Sequence, residues 1–365
     1  MGIKDLKSLI QKHSPNGMSE KSLSSYSGKT IAIDTSIYFY RFMAFGNYLT
    51  GFVKQILMLK EYNIRPLYVF DGKPPDEKSG VIKERKERKD KDIAEKMAIE
   101  TKITNCNDAN DLKKLKSQLY NIDKRIIIVT QEHNNMAKQL FQFFGVPYLI
   151  ANGEAEILCA KLEKHGYVDA CLSEDTDLMP NGCKLFLNNF KVISNYVIEY
   201  NLEIILEEMK LTHDQFIDMC ILCGCDYTCK IEGLATMGAY AMIRKYKNIE
   251  GIINFINFQK KHGKVKYTVP ENFDYRRARE IFNTELDKLV EINIIKFDMH
   301  TLDKTLLSNF IKTNCPDLPA KFLNMMNKTL SPPINKKIPP VTKTIDMYFS
   351  PLKQSQEIPE TVITQ

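Results

Sequence analysis

Tryptophan and long hydrophobic runs are missing from this chain of 365 residues. No run approaches the roughly 18 apolar residues of a membrane-spanning helix, so we expect no transmembrane segment and no membrane partner. The first residues, "MGIKDLKSLIQKH", are too charged for the apolar core of a secretory signal peptide. The nine cysteines are odd in number and scattered, which favours free thiols in a reducing, intracellular compartment.

The composition is that of a globular protein with a mild excess of positive charge. Hydrophobic residues make up 44% of the chain, which is enough for a sizeable core in one large or two medium domains. The formal net charge of +6 permits nucleic-acid binding but does not establish it. Any polyanionic partner must therefore be argued from motifs.

Short apolar segments alternate with segments whose apolar residues recur at helical spacing. Strands are predicted at residues 29–34, 66–71, 146–151 and 168–175, with a further strand pair at 184–201. Helices are predicted at residues 35–63, 126–145, 153–166, 202–246 and 275–330. Because strand and helix alternate, we predict an α/β fold with a mainly parallel central sheet flanked by helices.

Two segments interrupt this alternation. Residues 73–121 begin with "KPPDEKSGVIKERKERKDKDIAEK" and continue with a sparse apolar face, which predicts an exposed helical insertion. Solvated i,i+4 ion pairs are the alternative account of most of these charges. From residue 331 onward proline and polar residues dominate, which predicts a disordered tail at 331–365.

Carboxylates recur where the predicted strands end. Asp34, Asp71 and Asp175 each close one strand, and in a parallel sheet those ends share the edge where ligand crevices form. Further acids lie close to these positions in the predicted topology, namely Glu154 and Glu156 at a helix start, Asp177, and Asp226 after an apolar helical run. The sequence therefore predicts that seven carboxylates converge on one edge of the sheet.

Seven converging carboxylates cannot all stay ionised without cations, because like charges raise each other's pKa. Oxygen ligands with no nearby histidine or cysteine favour Mg²⁺, with Mn²⁺ able to substitute. Two such ions would suit in-line displacement at phosphorus, and the basic remainder of the chain suits a phosphodiester backbone. The alternative is that these acids are ordinary strand-end and helix-cap residues.

Six segments resemble the flap endonucleases of the XPG family of structure-specific nucleases. They are "MGIKDLKSLI", "IAIDTSIYFYRF", "YVFDGKPPDEKSG", "GVPYLIANGEAEILCAKL", "SEDTDLM" and "CILCGCDYTCKIEGL", in family order across about residues 1–245. The resemblance implies a PIN-like nuclease core, a helical arch insertion and a C-terminal helix–hairpin–helix region. It also implies Mg²⁺-dependent hydrolysis of DNA at the base of a 5′ flap, with 5′-exonuclease activity, in replication and repair.

Residue by residue, the resemblance implies two metal sites and three catalytic side chains. The first metal site comprises Asp34, Asp71, Glu154 and Glu156, and the second comprises Asp175, Asp177 and Asp226. Lys78 and Arg85 would contact the scissile phosphate, and Tyr40 would stack an unpaired base, with core packing as its alternative. Gly2 would pack near the metals and the DNA.

The duplex-binding motif departs from the family's usual Gly-Ile-Gly-Pro-Lys-Arg-Ala. Residues 233–239 are "GLATMGA", so Gly233 and Gly238 remain candidate DNA-binding positions while the Lys-Arg pair is missing. Helix packing is the alternative role of this segment. Between Asp34 and Asp71 the chain is also shorter than typical family members, which predicts a reduced wedge at the DNA junction.

Two further motifs concern partners and metals. The tail segment "TKTIDMYF" resembles the binding box for a PCNA-like sliding clamp, with Ile345, Tyr348 and Phe349 as anchors and Thr342 where glutamine is usual. A chance tail sequence is the alternative. The cysteines of "CILCGCDYTC" could suggest Zn²⁺ or an iron–sulfur cluster, but on an apolar helix cysteine often serves as a small hydrophobe.

These features together predict four regions and one leading function. The regions are a nuclease region at 1–121 with the arch at about 73–121, a second nuclease region at 122–245 with the helix–hairpin–helix type motif at about 215–245, a helical part at 246–330, and the tail. The leading hypothesis is a monomeric flap endonuclease, nuclear if cellular or in a viral replication compartment. The alternatives are a clamp-recruited DNA-binding adaptor without catalysis, and a family nuclease that prefers bubbles or four-way junctions.

Overall fold

The computed structural model describes residues 2–191, 194–263, 265–286 and 304–330. One sheet contains seven strands: β1 Met18–Ser22, β2 Thr30–Asp34, β3 Arg65–Phe70, β4 Tyr148–Ile150, β5 Ala170–Leu172, β6 Leu185–Asn188 and β7 Tyr196–Asn201. The three regions predicted between residues 1 and 330 lie within one compact unit, Met1–Ser331.

Helices surround this sheet along the described parts of the chain. They are α1 Leu6–His13, α2 Thr35–Ala44, α3 Tyr48–Glu61, α4 Ser79–Thr104, α5 Ala109–Asp123, α6 Gln131–Phe143, α7 Ala155–Lys164, α8 Leu202–Met209, α9 His213–Cys223, α10 Thr236–Tyr246, α11 Ile249–Lys261, α12 Tyr275–Phe282, α13 Lys304–Asn314 and α14 Ala320–Leu330.

The sheet is mainly parallel, as predicted. Its strand order is β1-β7-β6-β5-β2-β3-β4. The strands from β6 to β4 pair in parallel, whereas β7 and β1 add an antiparallel edge. The central strand β2 therefore has β5 on one side and β3 on the other, so the segments that follow these three strands begin next to one another.

Aromatic rings pack the sheet against α3 and α6. Tyr68 of β3 stacks on Phe141 of α6 with ring centroids 4.0 Å apart, and Phe52 of α3 meets both rings edge-on. The Tyr68 hydroxyl donates a hydrogen bond to Gln55 at 2.9 Å, which satisfies its polar end in the core. This packing fixes β3 and, with it, the position of Asp71 at its end.

The helix predicted at 35–63 is two helices in the structure. Gly46 has a φ of 131°, which L side chains rarely adopt, and the side chain of Asn47 caps the start of α3. The prediction of one continuous helix was wrong because the apolar spacing continues across the break. The break leaves the Phe45 side chain 79% exposed.

The helical insertion predicted at 73–121 is present as α4 and α5, which pack against each other. Ile99 is the buried residue of α4, in agreement with the sparse apolar face. An ion pair joins the two helices where Lys96 contacts Asp123 at 2.7 Å, and Arg125, two residues after α5, contacts Asp92 of α4 at 3.0 Å. Interhelical ion pairs therefore account for part of the charge in this insertion.

Three elements were missed by the predictions: α1, β1 and α11. β1 has the polar sequence "MSEKS" and pairs with β7 at the edge of the sheet. An edge strand of this kind needs no apolar alternation, so periodicity does not reveal it. These elements add to the sheet edge and to the helical layer without moving the predicted strands.

Several expectations concern features other than the sheet. All nine cysteines are free thiols, as predicted. Across the described ranges, no helix is long and apolar enough to cross a bilayer. The predicted tail, with Ile345, Tyr348 and Phe349, lies outside the described residues.

Gly72 lies where two loops of the carboxyl edge touch. Its backbone N–H donates to the Gly153 carbonyl at 2.7 Å, and a Cβ at position 72 would lie 1.9 Å from the Ala151 carbonyl oxygen. We expect Gly72→Ala to push these loops apart and to lower the free energy of unfolding by about 2 kcal/mol. Differential scanning calorimetry would show a lower Tm.

The matched control is Gly80→Ala. Gly80 lies in α4, and a Cβ there would meet no atom within 4 Å. Alanine is the better helix former, so this variant should keep or slightly raise the Tm. Equal destabilisation by the two substitutions would contradict the close approach inferred at Gly72.

Candidate active site

The carboxyl edge of the parallel strands gathers the seven predicted acids. Asp34 ends β2, Asp71 follows β3 and Asp175 follows β5. The other four come from the start of α7, the turn after Asp175 and the segment after α9, and they are Glu154, Glu156, Asp177 and Asp226. Six of the seven line one cavity of about 830 Å³, while the remaining acid is buried beside it.

Asp34 and Asp71 are held by hydroxyl and backbone donors. The Asp34 side chain accepts hydrogen bonds from the backbone N–H of Ser36 at 3.1 Å and from the Ser173 hydroxyl at 3.0 Å. Asp71 accepts from the backbone N–H of Ala155 at 2.7 Å and from the Ser36 hydroxyl. The strand ends and the start of α7 are thus joined through the acids themselves.

The Lys78 ammonium lies among three of the acids. This side chain is 8% exposed, forms an ion pair with Glu154, and lies 3.6 Å from Glu156 Oε1 and 3.4 Å from Asp226 Oδ2. Arg85, two turns into α4, contacts Asp226 Oδ2 at 2.7 Å. Lys78 and the first turns of α4 therefore supply the counter-ions of the acidic cluster in this state.

The turn after β5 carries Asp175 and Asp177. Asp175 caps this turn by accepting from the backbone N–H of Asp177 at 3.0 Å. Gly2 packs directly on it, since a Cβ at position 2 would lie 2.3 Å from Asp175 Oδ1, and its φ is +87°. The predicted position of Gly2 beside the acidic cluster is what the structure shows.

Glu174, the third acid of that turn, faces a different set of partners. Its carboxylate pairs with Arg41 of α2 at 2.5 Å and accepts from the Asn188 side-chain amide at 3.0 Å. Glu174 therefore ties the turn to α2 and β6 and is separate from the seven-acid cluster.

Burial and repulsion raise the pKa of several of these carboxyls. Desolvation is the main cause at Asp34, where repulsion by Asp71 and Asp175 adds to it and raises the pKa to about 7. Desolvation also raises the pKa of Asp177 well above its usual value, with Asp175 and Asp226 adding repulsion. Both acids therefore gain from any nearby positive charge.

The Glu156 carboxyl and the Lys78 ammonium respond to each other. Burial, followed by repulsion from Glu154, raises the pKa of Glu156, and Lys78 opposes that shift. Burial alone would lower the pKa of Lys78, but the attraction of Glu156 and Glu154 outweighs it, so the pKa is raised. Lys78 is thus a fixed cation across the physiological range.

The donor set fits hard divalent cations. All seven side chains offer carboxylate oxygens, and among the described residues Asp177 Oδ1 is buried without a hydrogen-bond partner. Within those same residues, no three acidic, histidine or cysteine side chains are arranged as a ready ligand set for one ion. Positive charge comes instead from Lys78 and Arg85, so an ion would compete with these two side chains.

Tyr40 and a basic wall complete the cavity. The Tyr40 side chain is 43% exposed and lines the cavity, so core packing does not account for it. Cations of α4 and of the two residues after α5 line the same cavity, and they are Lys86, Arg88, Lys89, Lys124 and Arg125. We call the seven-acid cluster the acidic floor of this cavity and these five cations its basic wall.

The segment 233–239 forms the entry to α10. Gly233 has a φ of +78°, and a Cβ there would lie 2.7 Å from the Lys266 carbonyl oxygen, so this glycine is required by close packing. Gly238 lies within α10 near Leu234, where an added Cβ would be 3.1 Å from Leu234 Cδ1. Packing thus explains both glycines, and their contact with DNA stays a prediction.

The cysteines near residue 225 lie on α9 and in the segment that follows it. Cys220 and Cys223 are buried in α9, and the Cys229 thiol donates to the Asn272 side chain at 3.2 Å. The interpretation of the helical cysteines as small hydrophobes fits their burial.

Three residues that hold the acids were missed by the sequence analysis. The buried Tyr227 hydroxyl donates to Glu154 Oε2 at 2.7 Å, while Ser36 and Ser173 donate to the strand-end aspartates. Each lies one or two residues from a predicted ligand in sequence. That proximity was the available signal, but the partner of each hydroxyl depends on tertiary structure.

Sequence comparisons place these motifs among known proteins. The XPG N-terminal domain matches residues 1–92, and the XPG I-region matches residues 145–226. Flap endonuclease 1 of Entamoeba dispar is 34% identical over 332 residues, which cover 86% of this chain and 83% of the relative. Flap endonuclease 1 of Caenorhabditis elegans is 36% identical over 313 residues, which cover 80% of this chain and 78% of the relative.

Solved structures share the fold. The catalytic core of Rad2 in complex with DNA substrate aligns with a TM-score of 0.68 at 22% identity, covering 90% of this chain and 100% of that one. Flap endonuclease-1 from Methanococcus jannaschii aligns with a TM-score of 0.58 at 20% identity, covering 90% of this chain and 99% of that one. The predicted PIN-like α/β fold is thereby confirmed.

Removal of the Lys78 ammonium tests its place in the cluster. We expect Lys78→Met to leave three acids without their buried counter-ion, which should lower the free energy of unfolding of the metal-free protein by about 3 kcal/mol. Its Tm should therefore fall by a few degrees. The rise in Tm on adding Mg²⁺ should exceed that of the wild type, because the ion no longer competes with Lys78. Thermal melts with and without Mg²⁺ measure both effects.

Lys83→Met, at an exposed position of the same helix, is the control. It should behave like the wild type in both melts. An equal Mg²⁺-induced rise in the wild type and Lys78→Met would show that the ammonium and the ion do not compete.

Proposed function

The chain belongs to the XPG family of structure-specific nucleases, among its flap endonucleases, and from this premise we propose that it hydrolyses DNA phosphodiesters at the base of 5′ flaps using divalent metal ions. The observation that carries the proposal is the convergence of seven carboxylates, six of which line a cavity that also carries Lys and Arg side chains. Cations bound by the floor and phosphates held by the wall would each meet opposite charge.

The acidic floor supplies the ligands for the ions. Two Mg²⁺ ions bound there would lower the pKa of an attacking water and neutralise charge at the scissile phosphate. We assign Asp34, Asp71, Glu154 and Glu156 to one ion, and Asp175, Asp177 and Asp226 to the other. Mn²⁺ has similar ligand preferences and would substitute.

The chain's own groups position the site and the substrate. Ser36, Ser173 and Tyr227 hold ligand carboxylates by hydrogen bonds and so limit their rotation. Lys78 and Arg85 contact the carboxylates in the described state, and once cations replace them they would be available to the scissile phosphate. The half-exposed Tyr40 ring beside the floor would stack an unpaired base.

Two other functions are weaker accounts of this geometry. An adaptor that only binds DNA gains nothing from clustered carboxylates, where burial first and then repulsion from Asp71 and Asp175 raise the pKa of Asp34 to about 7. A nuclease that prefers bubbles or four-way junctions would use the same acidic floor. Only a comparison of cleavage rates on the different DNA structures separates that activity from flap cleavage. We propose flaps because curated flap endonucleases align over most of this chain.

Cleavage of a labelled double-flap DNA tests the proposal. We expect the wild type to cut near the flap base with Mg²⁺ and not with EDTA, and Asp175→Ala to be slower by about a hundredfold or more, since a ligand is removed. The rates should be measured beside bubble and four-way DNA of equal length in single-turnover reactions.

The control for that experiment is Asp214→Ala, which removes an exposed carboxylate from the first turn of α9 outside the cluster. It should cut like the wild type. Normal cleavage by Asp175→Ala would refute the metal-site assignment, and faster cleavage of bubbles or four-way junctions would refute the flap assignment.

We also propose that the tail binds a PCNA-like clamp through Ile345, Tyr348 and Phe349. The support is the spacing of one aliphatic and two aromatic anchors in an otherwise polar segment. Phe349→Ala should weaken clamp binding about tenfold or more in calorimetry, because aromatic anchors dominate such interfaces. Cleavage without the clamp should be unchanged.

Val362→Ala, outside the motif but in the same tail, is the matched control. It should bind the clamp like the wild type. Equal clamp affinity of the wild type and Phe349→Ala would remove the motif from the interface.

A further inference from the structure

Two exposed aromatic side chains flank a lysine at the edge of the active-site cavity. Phe45, in the break between α2 and α3, is 79% exposed, and Tyr120 of α5 is 59% exposed. The Lys124 ammonium lies 5.3 Å from the Phe45 ring centroid and 4.1 Å from that of Tyr120. We call Phe45, Tyr120 and Lys124 the aromatic patch.

The patch joins two elements that are distant in sequence. Phe45 lies between α2 and α3, whereas Tyr120 lies in α5 and Lys124 directly follows that helix. Cation–π attraction to both rings favours this arrangement over free rotation of the side chains. The two rings are therefore held in place on the surface. Their exposure shows that they do not serve as core residues.

The patch is continuous with the cavity that holds the acids. Lys124 lines that cavity, as does Ala44, the neighbour of Phe45 in sequence. Lys86 and Lys89 of α4 line the same wall. A single DNA strand that entered this cavity would contact the cations of the basic wall and then the aromatic rings at the cavity edge.

We propose that the aromatic patch is a stacking site for unpaired bases of the DNA strand whose phosphates follow the basic wall. Rings next to cations are the combination that binds single strands without sequence preference, because every base has a π-face. Base-paired DNA does not fit, since its bases are already stacked within the duplex. The inference rests on the proposed flap-cleaving function and adds a binding site for the flap beyond Tyr40.

Fluorescence of 2-aminopurine provides the direct test. The base is placed at successive positions of a 5′ flap, and the DNA is bound to the full chain in EDTA, so that no cleavage occurs. Stacking on the patch should quench the probe at one or a few positions. The double variant Phe45→Ala/Tyr120→Ala should lose that quenching and bind the flap DNA about fivefold or more weakly.

Variants that keep the rings provide the rescue. Phe45→Tyr/Tyr120→Phe should retain the quenching, because it exchanges one aromatic ring for another. Phe258→Ala is the matched control, since it removes another exposed ring, 58% exposed, from α11. It should quench and bind like the wild type.

Abasic flaps distinguish base stacking from a general loss of affinity. The wild type should bind a flap with bases more tightly than the same flap with abasic sites, and the double alanine variant should bind the two flaps equally. If the double variant quenches the probe like the wild type, the patch is not the stacking site. If it loses affinity equally for the abasic flap, the rings do not act on bases.

The test is separable from the proposed function. Quenching that depends on Phe45 and Tyr120 in a protein that cuts no flap would uphold the patch and refute the nuclease assignment. Metal-dependent flap cleavage, together with quenching that is unchanged when both rings are removed, would support the nuclease assignment and refute the stacking site.

Discussion

Mutual repulsion among the carboxylates at one sheet edge is the constraint on which the rest of the structure depends. Three parallel strands end side by side, and each delivers an aspartate to the same place. Hydrogen bonds from Ser36, Ser173 and Tyr227 stabilise these carboxylates. Burial, with repulsion from Asp71 and Asp175 added to it, still raises the pKa of Asp34 to about 7. Positive charge must come either from bound cations or from the chain.

The chain provides that charge from the insertion. Lys78 reaches Glu154, Glu156 and Asp226 from the residue before α4, and Arg85 reaches Asp226 from the same helix. The base of α4 is therefore held by the same acids that would bind metal. A second tie, between Glu77 and Arg277 of α12 at 2.6 Å, restrains the residue next to Lys78. Any movement of Lys78 towards a phosphate must begin from this doubly held position.

The sequence predicted the strands and the acids well because both depend on local patterns. Buried parallel strands are nearly continuous apolar runs, and their ends are marked by the aspartates themselves. The ion-pair partner of each charged side chain, in contrast, depends on tertiary packing, which no local sequence pattern encodes. Glu174 lies beside Asp175 in sequence and yet pairs with Arg41, while Lys78, just before α4, contacts Glu154 across 76 residues of sequence. The helix break at Gly46 was hidden for the related reason that apolar spacing continues across it.

The ion pairs between Lys78, Arg85 and the acids also affect how a cation and a phosphate would bind at this site. Lys78 and Arg85 neutralise part of the acidic floor, so a cation that displaces them leaves two positive side chains without their partners. A phosphate that approaches those side chains without a cation would leave the acids unneutralised. Each ligand alone therefore breaks favourable contacts, whereas a cation and a phosphate together replace both sets. Under the proposed function, this coupling would favour assembly of the complete site only when metal and a DNA backbone are present at once.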